Sequence, residues 1–257
     1  MSSARPLIDL SGRVVVVTGG NTGIGLGLAR GVARAGGAVA VWSRRADRNA
    51  GAVAELQALG AQAAGFECDV TDEAQVAGSM AATLDRFGRL DGLAANAGTS
   101  GRQPFVDMDL GEWRHVMQVN LEGAFLALRE AARVLVRQGH GGALVGVSST
   151  SSVHGAPGQE HYSASKTAML GMMRSLAVEL ARHGVRCNSL VPGWTETELT
   201  APARQHEKFL TNTTNRTPVR RWATPHDFEA VGAFLLDPSI SFHTGDSIVV
   251  DGGYTVY

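Results

Sequence analysis

Residues 13–25 read RVVVVTGGNTGIG, a run of four valines that leads directly into a glycine-rich turn. The apolar run predicts a parallel β-strand covered on both faces, and the pattern after the turn predicts a helix. Glycines in such a turn permit positive φ and close approach of a phosphate, while the helix N-terminus offers N–H groups and a positive dipole end. The stretch therefore predicts the first strand, turn and helix of a nucleotide-binding α/β fold.

The alternation of strand and helix continues along the chain. Further strands are predicted at residues 38–43, 61–68, 90–96, 143–149, 185–191 and 247–250. Helices are predicted at residues 24–35, 46–59, 73–87, 110–137, 162–182 and 225–236, with Asp72 and Thr224 as N-caps. This pattern predicts an α/β fold: one Rossmann-type doubly wound domain over residues 1–257, with a seven-stranded parallel sheet flanked by helices on both faces. Residues 194–221 carry little strand signal and are interpreted as a substrate lid inserted in that domain.

Composition narrows the class of protein. The 257 residues carry a formal charge of −1 and are 44% hydrophobic, which argues against a disordered chain and against a nucleic-acid partner. Two cysteines, Cys68 and Cys187, form neither a disulfide framework nor a zinc cluster, and the eight histidines contain no HExxH pair, so no metal site is expected. Without a signal-like N-terminus or a long apolar run, we expect a cytoplasmic protein with no membrane partner.

The end of the second predicted strand bears on the choice of nucleotide. The sequence there is Ser43-Arg44-Arg45, whereas an NAD-binding protein would place an acid against the ribose hydroxyls. A serine and arginines can bind a 2′-phosphate, so NADP(H) is the preferred cofactor and NAD(H) remains possible. The glycine turn lacks the GK[ST] of a P-loop, which removes the main support for phosphoryl transfer.

A lysine and a tyrosine form the second informative pair. Of 23 cationic residues only Lys166 and Lys208 are lysines, and Tyr162 lies one helical turn before Lys166. The i, i+4 spacing puts phenol and ammonium on one face of a helix, near Ser149 at the carboxyl end of a strand. The ammonium and a positively charged nicotinamide would both favour the phenolate, and a compact lysine suits this position better than a planar arginine.

At this point the sequence resembles the short-chain dehydrogenase/reductase family, from residue 10 to residue 254. The motifs that carry the resemblance appear in the family's order: TGxxxGxG at residues 18–25, Asp69-Val70, Asn96-Ala97-Gly98, Asn120, Ser149 with Tyr162 and Lys166, Pro192-Gly193 with Thr197, and residues 251–253 (DGG).

The resemblance implies an NAD(P)(H)-dependent oxidoreductase that interconverts a secondary alcohol and a ketone. In an enzyme of this family the resemblance makes Tyr162 the general acid/base and Ser149 the group that polarises the carbonyl oxygen. It also implies that Lys166 binds the nicotinamide ribose and that Asn120 holds a water of a proton relay. The cofactor residues that it implies, together with the arginine pair, are Gly19, Asn21, Thr22, Gly23, Ile24, Gly25, Ser43, Arg44, Arg45, Asp69, Val70, Asn96, Ala97, Gly98, Tyr162, Lys166, Pro192, Gly193, Thr195 and Thr197. A homotetramer built through the helices at residues 110–137 and 162–182, with the last strand near a second interface, is also implied.

Departures from the family pattern concern both ligands. Asn21 and Thr22 stand where many NADP-preferring members have a basic residue, and Thr195 and Ser152 replace a common aliphatic residue and a common glycine. Candidate contacts to a small-molecule substrate are Ser151, His154, His161 and Trp194. Alternatives are an NAD-linked sugar-acid or polyol dehydrogenase, a 3-oxoacyl thioester reductase and, outside enzymes, a non-catalytic dinucleotide-binding sensor.

Overall fold

The computed structural model describes residues 7–257. Runs of valine, alanine and leucine form seven strands: β1 Val14–Thr18, β2 Ala38–Ser43, β3 Ala63–Glu67, β4 Gly92–Ala95, β5 Gly142–Val147, β6 Val185–Pro192 and β7 Ser247–Val250. The strand order is β3-β2-β1-β4-β5-β6-β7, and every neighbouring pair is parallel. The order reverses between β1 and β4, which is the position where doubly wound sheets open a ligand crevice. The predicted fold class is confirmed.

Nine α-helices connect or follow these strands within the described residues. They are α1 Gly23–Arg34, α2 Ala46–Ala58, α3 Glu73–Phe87, α4 Leu110–Met117, α5 Gly123–Gln138, α6 Glu160–Leu180, α7 Ala201–Arg204, α8 Glu207–Arg216 and α9 Glu229–Leu236. The predicted N-cap Asp72 accepts hydrogen bonds from the backbone N–H groups of Ala74 and Gln75 at the start of α3. Thr224 caps a 3₁₀ turn, Pro225–Phe228, in a capping box with Asp227, and α9 follows that turn.

Two apolar clusters lie on opposite faces of the sheet. On one face, α3, α5 and α6 pack against the strands around Leu93, Leu128, Leu144 and Met169. On the other, α1 packs against β1 and β2, and α9 packs against β4, β5 and α1, around a cluster that contains Leu28. Each large side chain buried in this way contributes about 1.5–3 kcal/mol. Both faces are therefore covered, as a parallel sheet requires.

Two predicted segments differ in detail. The helix predicted at residues 110–137 is interrupted by a π-helical turn, Gln118–Glu122, between α4 and α5. Asn120, at the centre of this turn, is fully buried and hydrogen-bonds the backbone of Thr99, so the wider turn fixes its side chain against a neighbouring loop. The predicted loop at residues 194–221 contains α7 and α8. In residues 7–257 no helix has both the length and the apolar character needed to cross a bilayer.

Candidate active site

The glycine-rich turn packs tightly against the end of β4. Gly19 has a φ of 62°, and a Cβ added to it would lie 3.0 Å from Nδ2 of Asn96. Asn96 Nδ2 in turn donates to the carbonyls of Thr18 at 2.9 Å and Gly19 at 3.2 Å. A Cβ on Gly25 would lie only 2.3 Å from the Gly19 carbonyl oxygen. These contacts hold the start of α1 beside the carboxyl end of the sheet, where its N–H groups can face a pyrophosphate.

A cleft of about 500 Å³ runs along the carboxyl edge of the strands from this turn. Its wall contains most of the predicted cofactor residues: Gly19, Asn21, Thr22, Gly23, Ile24, Ser43, Arg44, Arg45, Asp69, Val70, Asn96, Ala97, Gly98, Tyr162, Lys166 and Thr197. Gly25 is not in the wall, because it packs against the turn itself. Pro192, Gly193 and Thr195 line a neighbouring cavity instead. Seven further residues of the wall are not among those predicted from the sequence: Trp42, Cys68, Val119, Val147, Ser148, Glu198 and Leu199.

A polar cluster lies under the end of β2. The buried Asn49 donates from Nδ2 to the backbone carbonyls of Ser43 and Phe66, both at 3.1 Å. Its Oδ1 accepts from Asn21 Nδ2 at 3.0 Å and from Ser43 Oγ at 2.8 Å. Asn49 therefore ties the glycine turn to β2, a role that nothing in its helical sequence context indicates.

The two arginines after Ser43 have different environments. Arg45 donates from Nη2 to Glu198 Oε2 at 3.2 Å, and Arg48 donates to the other oxygen of the same carboxylate. Within residues 7–257 Arg44 lines the cleft and makes no side-chain hydrogen bond or ion pair. One guanidinium with free donors thus faces the cleft, which suits an anionic group on the nucleotide.

Tyr162 and Lys166 lie on the first two turns of α6. Lys166 is 4% exposed, and its ammonium donates to the Val147 carbonyl at 2.9 Å. The ammonium lies 5.7 Å from the centroid of the Tyr162 ring. Ser148 donates from Oγ to the Lys166 carbonyl at 2.7 Å, which joins the helix to the end of β5. The remaining two donors of the ammonium lie beside a cleft that has room for ribose hydroxyls, so the site fits a dinucleotide.

Burial governs the protonation of both groups. It lowers the pKa of Lys166 from 10.5 to about 8, because the charged ammonium loses hydration. It raises the pKa of Tyr162, and a hydrogen bond with Ser149 acts in the opposite direction. Burial outweighs the hydrogen bond with Ser149, so the pKa of Tyr162 in the protein alone stays above its ordinary value. A positive charge on a bound nicotinamide would act against burial and favour the phenolate.

Ser149 and Asn120 stand near this pair on separate elements. Ser149 Oγ accepts a hydrogen bond from the Ser151 backbone N–H at 3.1 Å, at the start of a 3₁₀ turn, Thr150–Ser152. Asn120 Oδ1 accepts from the Thr99 N–H at 2.7 Å, and its Nδ2 donates to the Thr99 carbonyl at 2.9 Å and to Ser165 Oγ at 3.1 Å. A Cβ on Gly98 would lie 3.2 Å from Asn120 Oδ1 and 3.5 Å from Lys166 Nζ. The path from the Lys166 ammonium past Gly98 to the Asn120 side chain is therefore short.

A second cavity, of about 550 Å³, adjoins the cleft. Two of the four predicted substrate residues, Ser151 and Trp194, line it, as does Ser149. The other two, His154 and His161, are not in its wall. His161 is fully buried, with Nε2 at 3.3 Å from Glu112 Oε1, and His154 lies behind Tyr254, whose ring centroid is 6.1 Å away.

Aromatic rings form one side of the second cavity. Trp194 stacks on Trp222 at 5.1 Å between centroids and meets the edge of Phe209 at the same distance. Trp222 is anchored by a hydrogen bond of 2.9 Å from Nε1 to Thr213 Oγ1 on α8. The segment after β6 thus contributes an ordered aromatic wall to the cavity, with the exposed side chains of Arg102 and His206 also lining it.

Tyr162 lines both cavities, together with Ile24, Ser148, Thr197 and Leu199. A phenol between a dinucleotide cleft and an aromatic-walled cavity can exchange a proton with one ligand while the other lies against it. The fold and this geometry define a dinucleotide-dependent oxidoreductase.

Comparisons with known proteins agree with this class. A family model described as "Enoyl-(Acyl carrier protein) reductase" matches residues 19–255. An L-rhamnose 1-dehydrogenase (NAD(P)(+)) from Sphingomonas sp. (strain SKA58) is 37% identical over 248 residues, which cover 96% of this chain and 98% of that protein. The chain belongs to the short-chain dehydrogenase/reductase family, and its reaction interconverts a secondary alcohol and a ketone with NAD(P)(H).

Solved structures of relatives superpose closely. A short-chain type dehydrogenase/reductase from Mycobacterium marinum has a TM-score of 0.92 at 35% identity, covering 97% of this chain and 98% of that one. A gluconate 5-dehydrogenase from Burkholderia cenocepacia J2315, in complex with NADP and tartrate, has a TM-score of 0.92 at 32% identity and covers 97% of both chains. The predicted family and reaction class are confirmed.

Proposed function

We propose that Tyr162 is the general acid/base of this oxidoreductase and that Ser149, Lys166 and Asn120 complete its catalytic group. The observation that carries the proposal is the position of Tyr162 in the walls of both cavities, with the Lys166 ammonium one helical turn behind it. A bound nicotinamide supplies the hydride acceptor or donor. Tyr162 takes the hydroxyl proton during oxidation and returns it during reduction.

The other three residues act on that proton transfer. Ser149 donates a hydrogen bond to the substrate oxygen and stabilises the charge that develops there. Lys166 is fixed by the Val147 carbonyl and binds the cofactor ribose. Asn120, fixed by Thr99 and Ser165, holds the water that passes the proton on from Lys166.

Arg44 supports a preference for NADP(H) over NAD(H). It lines the cleft at the end of β2 and, among residues 7–257, has no carboxylate partner. A guanidinium with free donors binds a phosphate through charge-assisted hydrogen bonds, whereas a ribose hydroxyl gains less from it. We expect Arg44→Ala to weaken NADPH binding about tenfold or more and NADH binding less than about twofold, on the scale of a lost charged hydrogen bond. Equal weakening of both would contradict the preference.

The second cavity favours a polyhydroxylated substrate, a sugar or sugar acid. Trp194 and Phe209 offer ring faces and edges to the C–H groups of such a molecule, while Ser151 and Gln159 offer hydrogen bonds. Arg102 places positive charge at the wall for a carboxylate, and His206 offers a further hydrogen-bonding group. The relatives named for L-rhamnose and gluconate support this choice.

A spectrophotometric screen tests the substrate class. It follows reduced nicotinamide with both cofactors against L-rhamnose, gluconate, cyclic ketones, steroids and 3-oxoacyl thioesters. Turnover of a sugar or sugar acid with a kcat/KM at least about tenfold above the other classes is expected. A thioester or steroid as the best substrate would overturn the substrate class alone. No turnover of any compound, with tight cofactor binding, would favour a non-catalytic sensor.

Three further proposals concern the whole molecule. Exposed apolar side chains on the elements expected at subunit contacts support a homotetramer: Leu110 on α4, Phe125 on α5, Val178 on α6 and Val249 on the edge strand β7. The free, buried thiols of Cys68 and Cys187 fit a reducing, cytoplasmic compartment. A single domain over residues 1–257 fits the one continuous sheet, with residues 194–221 as its lid. Light scattering after size-exclusion chromatography tests the tetramer, and a monomeric mass would contradict it.

A further inference from the structure

Glu198 occupies a position in the cofactor cleft that none of the roles above explains. It directly follows Thr197 on the segment after β6, and it lines the cleft with Ser43, Arg44 and Arg45. Its side chain is 56% exposed, so it is neither a core residue nor needed for packing. A carboxylate beside a cluster of arginines weakens the attraction of those arginines for a second anion.

Both oxygens of Glu198 are used across the cleft. Oε2 accepts from Arg45 Nη2 at 3.2 Å, and Oε1 accepts from Arg48 Nη1. These hydrogen bonds lower the pKa of Glu198, so the carboxylate is ionised at neutral pH. The pairs join the start of α2, on the nucleotide side, to the segment that enters α7. They are the contacts that bridge the cleft at this end.

We propose that Glu198 is a specificity-determining latch: it disfavours NADP relative to NAD and ties the lid segment to the adenosine end of the cleft. This inference rests on the proposed binding of the 2′-phosphate at Ser43–Arg45. A 2′-phosphate there competes with Glu198 for Arg45 and is repelled by its charge. A ribose hydroxyl leaves the Arg45–Glu198 pair intact, so NAD binds with the latch closed.

Arg44 and Glu198 therefore have opposite effects on one ligand group. Among residues 7–257 Arg44 has no side-chain partner, and it attracts the phosphate, whereas Glu198 neutralises the neighbouring Arg45. This balance predicts measurable binding of both nucleotides by a chain that carries two consecutive arginines. The adjacent Leu199 lines both cavities, so breaking the pairs of Glu198 with Arg45 and Arg48 also affects the part of the lid that lines the second cavity.

The test measures dissociation constants of NADPH and NADH for Glu198→Gln by nicotinamide fluorescence. The variant should bind NADPH about five- to tenfold more tightly and NADH within about twofold of the parent, because only the phosphate senses the removed charge. Glu196→Gln is the matched control: Glu196 is in the same segment, pairs with Arg204 at 3.3 Å and does not line the cleft. It should leave both constants unchanged.

The outcomes separate this inference from the proposed cofactor preference. Unchanged or weaker NADPH binding in Glu198→Gln, or an equal change for NADPH and NADH, overturns the latch. If Arg44→Ala still weakens NADPH selectively, the site of the 2′-phosphate stands and only the latch fails. If Arg44→Ala affects both nucleotides equally, the proposed preference itself fails. An effect of Glu196→Gln as large as that of Glu198→Gln would also overturn the latch, since it would be a general effect of charge.

Discussion

The Lys166 ammonium lies 5.7 Å from the centre of the Tyr162 ring and donates a 2.9 Å hydrogen bond to the Val147 carbonyl. The first turns of α6 and the end of β5 thus fix the buried Lys166 ammonium beside the Tyr162 phenol. Burial shifts the two pKa values in opposite directions: it lowers the pKa of Lys166 and raises that of Tyr162. The raised pKa keeps the Tyr162 phenol protonated at neutral pH in the protein alone, and a positive charge on a bound nicotinamide would favour the phenolate.

Removal of the phenolic oxygen should stop the chemistry without disturbing the cleft. We expect Tyr162→Phe to lower kcat by about 10²- to 10⁴-fold, the usual contribution of a positioned general acid or base. The NADPH dissociation constant should stay within about threefold of the parent, because the ring that packs beside Lys166 is kept. Stopped-flow measurement of hydride transfer together with fluorescence titration checks both values, and near-parental kcat would refute the role of Tyr162.

Lys166 should not tolerate arginine. Its ammonium is enclosed near Gly98 and the Val147 carbonyl. A planar guanidinium needs more room, and its charge is delocalised over the plane where the ammonium is a compact point charge. We expect Lys166→Arg to lower kcat/KM about 100-fold or more. Lys208→Arg, which changes the only other lysine of the chain at an exposed position on α8, should be indistinguishable from the parent. Steady-state kinetics of the two variants in parallel decide the point, and a fully active Lys166→Arg would contradict it.

The sequence predicted what depends on local pattern. Valine runs and glycine turns identified the strands and the crevice, and the spacing of Tyr162 and Lys166 indicated that they share a face. It could not predict contacts between distant segments. Glu198 meets Arg45 across 153 positions, and His161, although next to Tyr162 in sequence, is buried with Nε2 against Glu112 and is not part of the cavity wall. Asn49 likewise becomes informative only when Ser43 and Asn21 are seen around it.

The π-helical turn at Asn120 should contribute to stability as well as to the proposed relay. Asn120→Ala removes three hydrogen bonds, two to the Thr99 backbone and one to Ser165. Leaving such partners unsatisfied should lower the free energy of unfolding by about 1–3 kcal/mol. Gln118→Ala changes an exposed residue of the same turn and should have little effect. Urea denaturation of both variants tests this, and equal losses would show that the turn, not the buried amide, is responsible.

Cofactor binding should take up a proton at alkaline pH. With a pKa of about 8, Lys166 in the free protein is charged in mild acid and mostly neutral at about pH 9. The negative charge of a dinucleotide and its ribose hydroxyls favour the ammonium, so its pKa rises in the complex and a proton is bound. The sign follows from the lysine being a base whose pKa is lowered before binding. Titration calorimetry with NADH in buffers of different ionisation enthalpy should show most of one proton taken up at about pH 9 and almost none at about pH 6.5. Lys166→Met should abolish the uptake, and its persistence in that variant would assign it to another group.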